Sequence, residues 1–235
     1  MKLTLHAIAL IVLLLGAAGA ASADTVQLTL LNGGNNVMGG VYVGPYNFTG
    51  TSSGGTVPLQ LVCDDYVHDV YPGETWTSTT SNFTATSVSN ISSLQFPSST
   101  VTQYLEAAWL TQQIFANLGN STLVGWMQYA LWDIFDPTAS SGLSAANQAG
   151  VNTWLANAAA NYNCATCNYS NVLIYTPVPG TQKPGTDGLP QEYLGIDPPG
   201  GGGGSGNSTV PEPATLLLTG TGLVGLASFR RRFSN

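Results

Sequence analysis

Apolar and polar residues alternate over residues 25–31, the two-residue period of a half-buried strand. Asn32-Gly33-Gly34-Asn35 reads as the turn that ends it. Val41-Tyr42-Val43 reads as a further strand, closed by Gly44-Pro45. Residues 56–71 form a long β-like stretch, and residues 75–88 are rich in threonine, serine and aromatics. The period then changes. Apolar residues at 101, 104, 105, 108 and 109 predict a helix over 101–118, with Gly119 as its stop. Residues 122–135 predict a second helix, ended by Asp136-Pro137. Ser144 caps a third that runs to about Tyr162, and residues 171–176 read as a last strand. Strands first and helices second predict an α+β domain: a β-sandwich or barrel with an insertion of about three helices.

The two ends of the chain follow other rules. Residues 1–23 carry Lys2, an apolar run from Ala7 to Leu15, and small residues ending Ala21-Ser22-Ala23. This is the layout of a secretory signal peptide, so the mature chain is expected to begin at Asp24. Pro198-Pro199 and Gly200–Gly204 open a glycine-rich linker over 198–209, which cannot build a packed core. The folded domain is therefore expected over 24–197. Residues 210–235 hold Pro211-Glu212-Pro213, an apolar segment, and Arg230-Arg231-Arg232. That order resembles the PEP-CTERM sorting tail of bacterial exported proteins. The resemblance implies recognition by an exosortase in the inner membrane of a Gram-negative-type bacterium. It also implies cleavage near Pro211–Pro213 and release to the cell surface or extracellular matrix. The apolar segment would be a transmembrane sorting helix, and the membrane contact would be confined to this tail.

Charge narrows the function classes. Within 24–197 a single basic residue, Lys183, stands against eleven acidic ones, a formal charge near −10. Nothing there can neutralise phosphates, which argues against nucleic acid as a partner. A polybasic membrane contact is disfavoured for the same reason. Asp64, Asp65, Asp69 and Glu74 are close in sequence, but their spacing lacks the loop pattern of a calcium site, and no metal or other cofactor is expected. No Ser-His-Asp order and no phosphate loop suggests an enzyme.

Three cysteines in an exported chain leave one thiol over. Cys164 and Cys167, in CATC after the third predicted helix, are read as a structural disulfide formed in an oxidising compartment. A redox pair would sit at a helix N-terminus instead. Cys63 remains, in VPLQLVCDDYVHDVY. On a continuous strand Leu59, Leu61, Cys63 and Asp65 share a face, and the leucines mark it as the core side. His68 falls on the opposite face, which disfavours a Cys–His nucleophilic pair.

The second predicted helix poses the sharper question. Residues 124–135 read VGWMQYALWDIF, with one glutamine, Gln128, inside an apolar segment. A buried amide needs partners or a special reason to be there. One such reason is covalent: a cysteine thiol can attack a glutamine carboxamide, expel ammonia and leave an internal thioester. Gly125, one turn before Gln128, is read as leaving room for that approach.

Cys63-Asp64-Asp65 resembles the C-x-D of bacterial thioester domains, and Gln128-Tyr129-Ala130-Leu131-Trp132 resembles their Q-x-A-I-W, with leucine for isoleucine. The order of the two motifs agrees as well. The match covers about residues 57–136. Met127 stands where that family usually has threonine. The resemblance implies a Cys63–Gln128 thioester in a surface adhesion module that captures amine-bearing targets. Asp65 is read as a group that orients the site, and Trp132 as a wall against water. Two function classes follow. One is a covalent adhesion module acting on an amine or a matrix polysaccharide. The other is a structural exopolysaccharide or biofilm matrix protein in which Cys63 and Gln128 are only core residues.

Overall fold

Strand β1 (Thr25–Asn32) buries Val26, Leu28 and Leu30 and leaves Gln27 exposed and Thr29 half-buried between them, as its alternation requires. The computed structural model describes residues 25–184 and 189–196. After β1 comes a hairpin of two short strands, β2 (Val37–Met38) and β3 (Val41–Tyr42). The turn before it uses Gly34 at φ 80°, and the Asn32 side chain accepts from the Gly34 N–H. Strands β4 (Tyr46–Ser52), β5 (Gly55–Cys63) and β6 (Thr75–Asn82) follow.

Helices α1 (Val101–Ala116), α2 (Ser121–Phe135) and α3 (Ala145–Asn161) come next, before β7 (Val172–Pro177) and β8 (Tyr193–Ile196). Six strands close an antiparallel barrel in the order β1-β4-β5-β8-β7-β6. The chain is thus an α+β barrel carrying three helices, among the described residues, between β6 and β7. Phe48, Trp76 and Tyr193 cluster in its core, with Phe48–Trp76 centroids 5.8 Å apart and Phe48–Tyr193 centroids 4.9 Å apart, both edge-on.

Each helix starts on a side-chain cap. Thr100 and Gln103 form a reciprocal capping box on α1, Asn120 accepts from Leu123 N–H on α2, and Ser144 accepts from Asn147 N–H on α3. Helix α2 packs against both other helices and against β5 and the β2–β3 hairpin. A helix covered on all sides must be apolar all round. Hence every residue from Met127 to Ile134 is buried, Gln128 included.

Several sequence expectations shift. The stretch over 56–71 is not one strand. It breaks at Cys63, and residues 64–74 run as a loop. Strands β4 and β8 were not predicted from the pattern; both carry glycine, and β8 has four residues. The signal peptide over 1–23, the linker over 198–209 and the tail over 210–235 lie outside the described residues. Among the described residues no helix is long and apolar enough to cross a membrane.

Candidate functional site

Cys63 is the last residue of β5, paired in register with Tyr193 of β8, and is fully buried. Its Sγ–H donates to the Asp65 carbonyl at 3.0 Å, and Asp65 N–H reaches Sγ at 3.3 Å. The chain turns sharply around the thiol here, which is why the strand stops. Gln128, also fully buried, meets the same residue from α2. Its Nε2 donates to the Cys63 carbonyl at 2.5 Å. Its Oε1 accepts from the Gly44 N–H at 3.1 Å.

In the sequence Gly44 reads only as the end of a strand, because its partner Gln128 lies 84 residues away. It occupies φ +28°, and a Cβ there would sit 3.3 Å from Gln128 Oε1. Gly125 has a different task from the one its position suggested. A Cβ on it would come 2.4 Å from Met38 Cε, so it makes room for the β2–β3 hairpin rather than for Gln128.

Asp65 also differs from the expectation. It lies beyond the strand end, not on the strand face shared with Cys63, and touches the thiol through its main chain. Its carboxylate is turned away: it accepts from Val67 N–H and His68 N–H, pairs with His68 Nδ1 at 2.7 Å, and accepts from Gln95. The Gln191 side chain fixes the Asp65 carbonyl at 2.9 Å, and Tyr193 O–H donates to Gln191 Oε1 at 2.7 Å. His68 therefore serves Asp65.

Trp132 is buried, and its indole N–H has no hydrogen-bond partner. It lies close enough to Cys63 to favour the ionised thiol without completing a hydrogen bond. Burial pushes the Cys63 thiol well up, and the Asp65 and Asp64 charges add to that; the Asp65 N–H and Trp132 pull the other way. The thiol thus rests protonated. The half-exposed Tyr66 ring covers Trp132 at 5.1 Å, and Tyr129 meets Trp132 edge-on at 4.9 Å.

A second buried group went unrecognised. Asp64 and Glu192 are both fully buried, and β5–β8 pairing brings them together through Asp64 N–H to the Glu192 carbonyl at 3.3 Å. Glu192 accepts from Tyr104 O–H at 3.0 Å, Gln95 N–H at 2.9 Å and the Thr176 hydroxyl. Asp64 finds no N–H or O–H donor, and its neighbour is the Glu192 carboxyl. Burial pushes both carboxyls up. For Asp64 the nearby Glu192 and Asp65 charges add to that rise, whereas the donors around Glu192 oppose it. The four clustered acids accordingly diverge: Glu74 accepts from Tyr71 N–H and Gln182, and Asp69 is exposed. Among the described residues no group of His, Cys, Asp and Glu is arranged to hold a metal ion.

At the far end of the α3 connection, Cys164 and Cys167 are joined by a disulfide, with Cα atoms 5.1 Å apart.

Residues 209–232 match the PEP-CTERM protein-sorting motif. The protein is exported and sorted by an exosortase. The PEP-CTERM tail directs it to the surface of a Gram-negative cell, and Pro211-Glu212-Pro213 and Arg230–Arg232 fall inside the matched segment. No curated protein and no solved structure matches the chain.

Proposed function

We propose that the exported domain is a covalent adhesion module in which Cys63 and Gln128 form an internal thioester. The observation that carries this reading is the double anchoring of the Gln128 carboxamide. One end is held by the Cys63 carbonyl at 2.5 Å and the other by the Gly44 N–H at 3.1 Å. The carboxamide is thereby held against the main chain of Cys63, which carries the only free thiol among the described residues.

The chemistry follows from those contacts. Cys63 Sγ adds to Gln128 Cδ, and the Gly44 N–H, already on Oε1, stabilises the charge that develops there. The Cδ–Sγ bond forms, the Cδ–Nε2 bond breaks, and the thiol proton leaves with the amide nitrogen as ammonia. An incoming amine reverses the logic: a new Cδ–N bond forms, Cδ–Sγ breaks, and Sγ recovers a proton. Burial of Cys63 and Gln128 protects the bond from water, with Trp132 and Tyr66 as the cover. Lys183 is the one lysine in 24–197, so the domain offers few amines of its own to consume the bond. Such a module acts once per molecule and is no turnover enzyme.

A structural matrix role has one observation in its favour. The Gln128 amide is hydrogen-bonded at both ends as it stands, so it can serve as a buried polar strut between α2, β5 and the segment entering β4.

Intact mass of the mature domain separates the two readings. The thioester form is one ammonia lighter than the sequence. Methylamine adds at Gln128 and frees one thiol, and Cys63→Ala or Gln128→Ala abolishes both effects. Full sequence mass in a native domain, with Cys63 alkylated only after unfolding, would leave the structural role.

A further inference from the structure

A cleft of about 440 Å³ is lined in part by Trp132, one of the residues that act on the Cys63 thiol. Its lining includes Tyr42, Tyr46, Tyr66, Tyr71, Trp132 and Asp69. Three of the tyrosines are unusually exposed for aromatic residues: Tyr42 at 54%, Tyr66 at 38% and Tyr71 at 59%. The hydrophobic effect alone would cover such rings, and their convergence on one concavity is the mark of a binding surface.

The charge of the cleft selects among ligands. Asp69 is exposed and has no ion-pair partner among the described residues. Its charge reaches the wall: burial first, then Cys63, Tyr129 and Asp69, push the Tyr46 hydroxyl up. Among the described residues no lysine or arginine lines the cleft, and the domain around it is strongly acidic. Tyrosine and tryptophan faces are electron-rich and attract cations, and a carboxylate at the rim adds to that attraction. Anionic polymers are repelled by the same arrangement.

We propose that this cleft is a receptor for an aliphatic ammonium group on an extended chain, as carried by a lysine side chain or a polyamine. Asp69 draws the cation in, and Tyr42, Tyr66 and Tyr71 enclose it. Trp132 and Tyr46 both line the cleft, and each interacts electrostatically with Cys63. The proposal deepens the thioester reading and rests on it only for the covalent step. In that step the bound ammonium gives up two protons. One ends on Cys63 Sγ as the Cδ–Sγ bond breaks, and the other passes to solvent as the amide forms.

The test uses the mature domain in two forms, wild type and Cys63→Ser, the second unable to complete a thioester. Cadaverine and Nα-acetyl-lysine methylamide are titrated into each, with tryptophan fluorescence and amide NMR shifts as readouts. Pentanol and a neutral glucan oligosaccharide serve as uncharged probes. Both amines bind Cys63→Ser, pentanol does not, and rising salt weakens the binding. Asp69→Asn and Tyr71→Ala, both surface changes, weaken it roughly five- to tenfold with the melting temperature unchanged. In wild type, the same two substitutions slow covalent uptake of cadaverine more than that of methylamine, which lacks the extended chain. Binding of pentanol as tight as that of cadaverine, or no effect of Asp69→Asn, overturns the ammonium receptor. Preferential binding of the oligosaccharide overturns it in favour of a glycan site. Amine binding to a wild-type domain of full sequence mass leaves the cleft standing and removes the thioester.

Discussion

The Gly44 N–H donates to Gln128 Oε1 at 3.1 Å, and Gly44 is the residue whose backbone makes that contact affordable. It sits at φ +28°, where a side chain is strained, and a Cβ would press on Gln128 Oε1, Ile114 and Val124.

Gly44→Ala should therefore act twice. It should destabilise the domain by roughly 1–2 kcal/mol, the cost of a left-handed backbone for an L-residue. It should also shift the Gln128 amide and lower the fraction of ammonia-light protein. Chemical denaturation and intact mass check the two parts separately; unchanged mass with lowered stability would confine Gly44 to a structural role.

Gly125→Ala should destabilise by roughly 1–3 kcal/mol through overpacking against Met38. The double substitution Met38→Ala, Gly125→Ala should recover part of that loss, because the clash is with the tip of the methionine. A thermodynamic cycle measures the coupling. Additive losses would show that Gly125 acts through its own helix and not through the hairpin.

The Asp64–Glu192 pair should make stability depend on pH in an unusual direction. Both carboxyls bind their protons more tightly folded than unfolded, since burial pushes both up. Their contribution is fully present below the unfolded carboxylate value, about 4, and is lost as pH rises through the folded value. The groups facing the pair, Tyr104, Thr176, Gln95 N–H and Asp65, supply no positive charge to offset it. Asp64→Asn keeps a donor to Glu192 and removes one titration. The stability of wild type relative to Asp64→Asn should fall with rising pH above about 4, by up to roughly 1.4 kcal/mol per pH unit. Parallel stability–pH curves for the two proteins would show the pair does not share a proton.

The Cys164–Cys167 bridge closes a very short loop. Replacing both cysteines by serine should cost no more than about 2 kcal/mol, the chain-entropy value for so small a ring. Thermal melts with and without reductant check this. A loss of folding on reduction would mean that the connection between α3 and β7 depends on the bridge.

Much of the helical layer was legible because helices announce themselves locally. The apolar spacing of 101, 104, 105 and 108 and the cap at Ser144 are contained within single turns. The barrel was legible only as a class. Strand β4 alternates correctly, with Tyr46, Phe48 and Gly50 buried, but Gly44-Pro45 before it reads as the close of the preceding strand, and Gly50 interrupts the apolar pattern. Strand β8 is four residues long and gains its identity from pairing with β5 and β7. At the site, Cys63 and Gln128 stood out chemically, and the structure brings them together. Gly44 and Glu192 did not stand out, because each matters through a partner more than eighty residues away. Asp65 was misplaced by extending a two-residue period past the point where the thiol turns the chain.

The position of β8 has a mechanical consequence. It is the last strand among the described residues and yet an inner stave of the closed ring, hydrogen-bonded to β5 on one side and β7 on the other. Any tension arriving through the residues that follow Ile196 is applied along β8, in shear against two neighbours at once. Tyr193, four residues into the loaded path, is the register partner of Cys63. Pulling on the C-terminal side of this domain therefore loads the strand that holds the thiol before it reaches the β1–β6 side of the ring.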